Sequence, residues 1–263
     1  MKHTLVTLLL FAVLATALGA CKSYTLLSQA DQQAIEKGHF DKRLYLKQSF
    51  FAGPFFAYDD RLFISERAFD ERVLIQGVRG DPILPSKADH VLPMGTAMLI
   101  KRVEFPTSAA ISDRKLKSPR HFVWVYLEKA EGDTPKPYVL VLTQEFRRVP
   151  QFDSALASFL VKKDPRGAFA SRLPEVLEAI DTKSIVRGMR ADALMRSRGY
   201  PDKIVRKSIS GARIENWTYA SKREVVLKND VVQSWEGFPD VPAPQSDAGA
   251  ATPANPSTEG GAS

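Results

Sequence analysis

The chain has 263 residues, 44% of them hydrophobic and 25% charged, values typical of folded globular proteins, so its middle is expected to bury a core. Cys21 is the only cysteine, which excludes an internal disulfide and a multi-cysteine zinc site and leaves the fold to be held by packing alone. The net charge of +7 is concentrated: Lys183, Arg187, Arg190, Arg196, Arg198, Lys203, Arg206 and Lys207 face only Asp192 and Asp202 within one short segment, the pattern of a surface that meets anionic groups.

At the start of the chain, Lys2 precedes an apolar run from Leu5 to Leu14 and a small-residue segment, Ala15 to Ala20, that ends at Cys21. This is the layout of a secretory signal peptide, and the run is shorter than the roughly 20 apolar residues needed to span a bilayer, so residues 1–20 are expected to be removed. Leu18-Gly19-Ala20-Cys21 resembles the bacterial lipobox. That resemblance implies cleavage before Cys21, acylation of its thiol with palmitate-type chains, and a lipoprotein held in the membrane by several chains, each buried CH₂ contributing about 0.8 kcal/mol. Lys22 stands where an inner-membrane retention aspartate would follow the cysteine, which points to the outer membrane, facing the periplasm. Nucleic acid is not an expected partner there.

Residues 21–42 read as a lipidated tether with a short helix from Ser28, a capping residue, to Glu36. Residues 43–148 read as a β-rich domain. Short apolar pieces (Leu44 to Leu46, Phe50 to Tyr58, Arg61 to Ser65, Val73 to Ile75, Ala97 to Val103, Phe122 to Glu128, Tyr138 to Thr143) are separated by turn clusters such as Asp59-Asp60, Pro93-Met94-Gly95 and Gly132-Asp133. The spacing predicts a small antiparallel sheet or barrel, and the turn-then-strand rhythm from Val91 to Thr107 resembles bacterial SH3-like barrels. Phe50, Phe51, Phe55, Phe56 and Tyr58 are expected in the core, with a ligand-binding aromatic groove as the alternative. Residues 149–171 read as a helical linker, and Pro174 opens a further helix. After about residue 238, Pro, Ala, Gly, Ser and Thr dominate to the end, a composition that cannot bury enough surface to order itself.

Residues 172–237 carry the most informative pattern. Gly188-Met189 precedes a helix stopped by Gly199 and Pro201, a basic loop follows, and Trp217-Thr218-Tyr219 leads to a hairpin at Lys228-Asn229-Asp230. This resembles the SmpA/OmlA (BamE-like) family of outer-membrane assembly lipoproteins, and implies two helices on a three-stranded antiparallel sheet. Arg190 departs from the family, which has a capping Ser or Thr at that position. The fold class expected for the whole chain is therefore α+β.

The resemblance implies a non-enzymatic envelope lipoprotein, a scaffold or accessory factor in outer-membrane assembly or integrity, that contacts an envelope protein or anionic lipid. Arg187, Arg190, Arg196, Arg198, Lys203, Arg206 and Lys207 are the candidate contact residues, because guanidinium forks suit phosphate and carboxylate. The alternative is a ligand-binding lipoprotein whose β-rich domain takes cell-wall glycan or peptide. His3, His39, His90 and His121 show no metal-ligand spacing, and no nucleophile elbow or phosphate loop is present, so no enzyme, metal or cofactor is expected.

Overall fold

The computed structural model describes residues 25–69, 75–81, 83, 88–220 and 222–238. The expected signal peptide, the lipid-attachment residue Cys21, Val73 and Leu74 of one expected strand, and the tail beyond residue 238 lie outside the described residues. What is described is α+β: a curled eight-stranded sheet, a separate four-stranded sheet, and few helices.

The larger sheet is built from β1 (Arg43–Leu46), β2 (Phe50–Phe55), β3 (Tyr58–Ser65), β5 (His90–Leu92), β6 (Ala97–Glu104), β8 (Val123–Lys129), β9 (Tyr138–Leu142) and β10 (Leu160–Val161), in the order β10-β1-β6-β8-β9-β3-β2-β5. Two short strands, β4 (Gln76–Gly77) and β7 (Leu116–Ser118), pair separately. The middle of the large sheet is covered on both faces, so its central strand β8 lacks a polar side over most of its length. In β8, Val123, Val125 and Leu127 enter one core, while Trp124 and Tyr126 enter the other. This explains why the sequence alternates only partially.

Three expectations for this half are corrected. The sheet is mixed rather than antiparallel throughout, because β3 and β9 run parallel. The β2–β3 turn falls at Phe56, whose φ of 49° is left-handed, and not at Asp59-Asp60; Arg61 holds both oxygens of the Asp60 carboxylate (2.8 and 2.6 Å) along the strand. Finally, the tether and the linker belong to the domain. Ser28 does cap the first helix, α1 (Gln29–His39), accepting from the Asp31 amide at 3.1 Å, yet Ile35 of α1 is buried in the sheet's first core. A short helix, α2 (Ser108–Asp113), follows β6. From the expected linker, α3 (Val149–Leu156) sends Phe152, Ala155 and Leu156 into that core, and β10 pairs with β1. The second core is aromatic: Phe55 stacks on Phe63 at 5.3 Å and lies 4.9 Å from Trp124.

The remaining residues form α4 (Pro174–Asp181), α5 (Ala191–Arg198), β11 (Lys203–Ile209), β12 (Ala212–Tyr219), β13 (Arg223–Lys228) and β14 (Val231–Glu236). Four strands, not three, make an antiparallel meander; the expected basic loop is β11, in which Ile204 lies opposite Trp217. Local signals elsewhere behave as their chemistry requires. Pro174 opens α4, Gly199 ends α5 with φ 81°, and Asn229 and Asp230 turn the last hairpin at φ 49° and 67°. Arg190 occupies the N-cap of α5 with no side-chain bond.

The two halves meet around Ser49. Its hydroxyl donates to the Ile180 carbonyl (2.6 Å) and accepts from the Met94 amide (2.9 Å), and its own amide donates to the Arg196 carbonyl (3.1 Å). Lys183 is fully buried and donates to the carbonyls of Ser49 (2.9 Å) and Ser197. Its backbone closes α4: the Lys183 amide donates to Ile180 and the Ser184 amide to Ala179, with Lys183 at φ 56° in the place where glycine is usual. Arg67 adds a bridge to Asp202 and to the Tyr200 carbonyl (2.8 Å).

Candidate partner-binding surface

One face of the four-stranded sheet is covered by α4 and α5. Trp217, Tyr219, Val225, Leu227 and Val232 pack there with Val176, Ala179, Ile180, Ala193 and Leu194. Strand register fixes what the opposite face presents, because paired residues share a side and neighbours along a strand alternate. Lys203 pairs with Thr218, Val205 with Asn216, Lys207 with Ile214 and Ile209 with Ala212. Asn216 continues to Val226, and Ile214 to Lys228. The outer face therefore carries Val205, Ile209, Ile214 and Val226 interspersed with polar side chains: Asn216 lies between Val205 and Val226, Lys207 and Lys228 flank Ile214, and Lys203, Thr218, Glu224 and Glu236 line one end. Ile209 is 56% exposed, and β11 is an edge strand with one free side. A face that mixes β-branched side chains with lysines can bury its apolar groups against a partner while the ammonium groups stay hydrated.

The seven expected basic residues do not form one patch. Arg187 and Arg190 are exposed at the start of α5, whereas Arg196 and Arg198 lie at its other end, about 10 Å further along the axis. Arg198 is a correction: it is 4% exposed, donates to the Lys183 carbonyl at 2.6 Å and stacks on Phe238 at 4.6 Å, so it is structural and cannot meet a partner at the surface. Arg196 is half-buried at the junction, 6.0 Å from the Phe169 ring. Lys203 and Lys207 share the outer sheet face, while Arg206 points to the other side and pairs with Glu215 at 2.9 Å. Sequence reasoning missed Lys228 and the apolar side chains of this face. Their signal was there, in the β-branched residues Ile204, Val205 and Ile209, but the intervening charges read as a loop.

Glu215 anchors this side of the module. Burial opposes its ionisation, but the Trp217 indole (2.8 Å), Arg206 and then Arg213 (3.4 Å) outweigh burial and hold its carboxyl below the ordinary glutamate range.

In the larger domain, a polar cleft of about 530 Å³ opens beside the edge strand β5, lined by Arg43, His90, Lys129, Glu131, Asp164 and Arg166 among others. Its charges are largely satisfied within the protein. Arg43 bridges Glu131, and Arg166 bridges Asp181 (2.8 Å) and donates to the Met94 carbonyl (2.7 Å). Burial, then Lys129, lowers the His90 pKa against the opposing pull of Asp89; the ring lies 3.4 Å from the Tyr138 hydroxyl. Phe50, Phe51, Phe55 and Tyr58 are buried in the cores and Phe56 is partly buried against one of them, so none forms a groove wall. His39 bonds Asp153 at 2.8 Å, and among the described residues no cluster of His, Cys, Asp or Glu could hold a metal. No described helix is long and apolar enough to cross a membrane.

No protein-family model matches the chain, and no curated protein or solved structure is significantly similar to it.

Proposed function

We propose that the chain is a lipid-anchored bacterial envelope protein, non-enzymatic, that assists outer-membrane assembly or integrity by docking an envelope protein on the outer face of its C-terminal sheet. The observation that carries this reading is the mixed face of Val205, Ile209, Ile214 and Val226 with Lys203, Lys207 and Lys228, on the side away from α4 and α5. Solvent-facing sheet faces are usually polar, and this one carries four β-branched apolar side chains among its charges. The larger domain is joined to this module through Ser49 and Lys183. The Leu18-Gly19-Ala20-Cys21 motif supports the tether, and the resemblance to the SmpA/OmlA (BamE-like) pattern supports the pathway. The alternative, a glycan or peptide ligand on an aromatic groove, draws no support from side chains that are spent on the cores.

A photo-reactive amino acid placed at Val205, Ile214 or Val226 in living cells is expected to cross-link to one and the same protein. Placed at exposed Glu175 or Glu178 on the helix side, it should not. Equal labelling at all five positions would overturn the assignment of the sheet face.

A further inference from the structure

A sheet edge offers a row of unpaired amides and carbonyls, and folded proteins usually keep such edges short, bulged or covered. Most edges of this chain follow that rule. In the larger sheet the edge strand β10 has two residues and β5 has three. In the smaller sheet, β14 shifts register against β13 between Val226 and Leu227, and its outer side is closed at one end: the Gly188 amide donates to the Val232 carbonyl (3.1 Å) and the Val232 amide to the Met189 carbonyl (2.8 Å). β11 is different. It pairs with β12 through seven residues without a shift, contains no proline or glycine, and has no other segment bonded to its outer side among the described residues. The turn into β12, Ser210-Gly211 with φ 50° and 79°, makes Ile209 and Ala212 a hydrogen-bonded pair, so alternation turns the amides and carbonyls of Lys203, Val205, Lys207 and Ile209 toward β12. Those of Ile204, Arg206 and Ser208 point outward.

We infer that the partner of this module adds a strand to it: an extended acidic segment of an envelope protein pairs antiparallel with β11 through the outward backbone groups of Ile204, Arg206 and Ser208. Backbone bonds supply affinity in this mode, and the side chains beside them choose the sequence. Their charge is of one sign. β11 carries Lys203, Arg206 and Lys207 and no acidic residue. Arg206 is paired with Glu215 at 2.9 Å, whereas neither Lys203 nor Lys207 has an ion pair among the described residues. Opposite charges placed across a strand pair stabilise it and like charges destabilise it, so the added strand is acidic. The same rule sets a second copy of the chain aside, because joining two β11 strands would gather the three cations of each on one seam. Val205 and Ile209 stand on the outer face beside this edge, so an added strand with β-branched residues opposite them extends that face. The inference rests on the docking reading and specifies what the partner brings to it.

The test is residue-resolved hydrogen exchange of the full mature protein in a neutral detergent, alone and with the end-blocked heptapeptide Val-Thr-Glu-Glu-Val-Val-Glu. Lying antiparallel to β11, this peptide sets its three glutamates opposite Lys207, Arg206 and Lys203. In the free protein the amides of Ile204, Arg206 and Ser208 should exchange about tenfold faster than those of Val205 and Lys207, or more. Saturating peptide should slow the three by a similar factor, and the same peptide with lysine for each glutamate should leave them unchanged. Ser208→Pro removes one outward donor without touching a bond to β12, a substitution that edge strands tolerate, and should weaken peptide binding by about tenfold, whereas Ser208→Ala should bind as the native protein does. Lys207→Glu should weaken it by as much. Slow exchange of the three amides in the free protein that deepens with its concentration would hand the edge to a second copy and overturn the inference. Equal protection by both peptides, protection by neither, or native binding by Ser208→Pro would overturn it as well. The docking reading fails by a different result, the loss of position-specific cross-links on the sheet face; cross-links at Val226 that persist in Ser208→Pro would keep that face and overturn only the added strand.

Discussion

Replacing Lys183 by Met should lower stability by about 3 kcal/mol, although the substitution removes a charge from the interior and keeps most of its volume. The ammonium serves the carbonyls of Ser49 and Ser197, and each buried carbonyl left without a donor costs on the order of 1–3 kcal/mol. Release of the desolvation cost of a buried cation offsets part of this loss. In a protein of this size the net change corresponds to a drop of about 6–12 °C in Tm. Lys183 also joins the two halves, so the variant should unfold in two resolved steps where the native protein unfolds in one. Scanning calorimetry decides this. A single transition at the native temperature would show that the junction does not depend on the ammonium.

Arg114→Leu should cost a similar amount, about 3 kcal/mol, with the damage confined to the larger domain. Arg114 is 3% exposed, and its guanidinium lies 4.0 Å over the Trp124 ring. It meets the Glu104 carboxylate through two nitrogens (3.0 and 2.8 Å) and donates to the Phe122 carbonyl (2.8 Å) and to that of Arg120. Breaking one side of a buried pair typically costs 3–5 kcal/mol. The lower end applies because Glu104 keeps Arg102 at 2.7 Å and the Tyr126 hydroxyl at 3.2 Å. The urea midpoint of Arg114→Leu should therefore fall clearly while its slope is unchanged, and a change below about 1 kcal/mol would mean that Leu packing on Trp124 compensates for the lost bonds.

Both residues show what the sequence could and could not reveal. Signals that act within a few residues were legible: Ser28 as a cap, Pro174 at a helix start, Gly199 at a helix end, and Asn229-Asp230 as a turn. Roles fixed by distant partners were not. Lys183 counts in the sequence as one more member of a basic segment, yet Ser49, far away in the chain, turns it into the most buried cation of the junction. The α3 segment reads as a linker because nothing local shows that Phe152 meets a sheet. β11 reads as a loop because Lys203, Arg206 and Lys207 mask its β-branched residues, and only pairing with β12 reveals the alternation. The same pairing divides the candidate contact residues. It keeps Lys203 and Lys207 on one face and sends Arg206 to the other, while Arg198 is held in the interior by its bond to the Lys183 carbonyl.

Every functional statement above depends on a chain tethered to a membrane at its processed N-terminus. The most direct measurement is the mass of the N-terminal peptide released from the protein purified from its own cell envelope. The expected peptide begins at Cys21 and carries the added mass of its acyl chains. A peptide that begins elsewhere, or a Cys21 with a free thiol, would contradict the anchored reading and remove the basis for a docking role at the outer membrane.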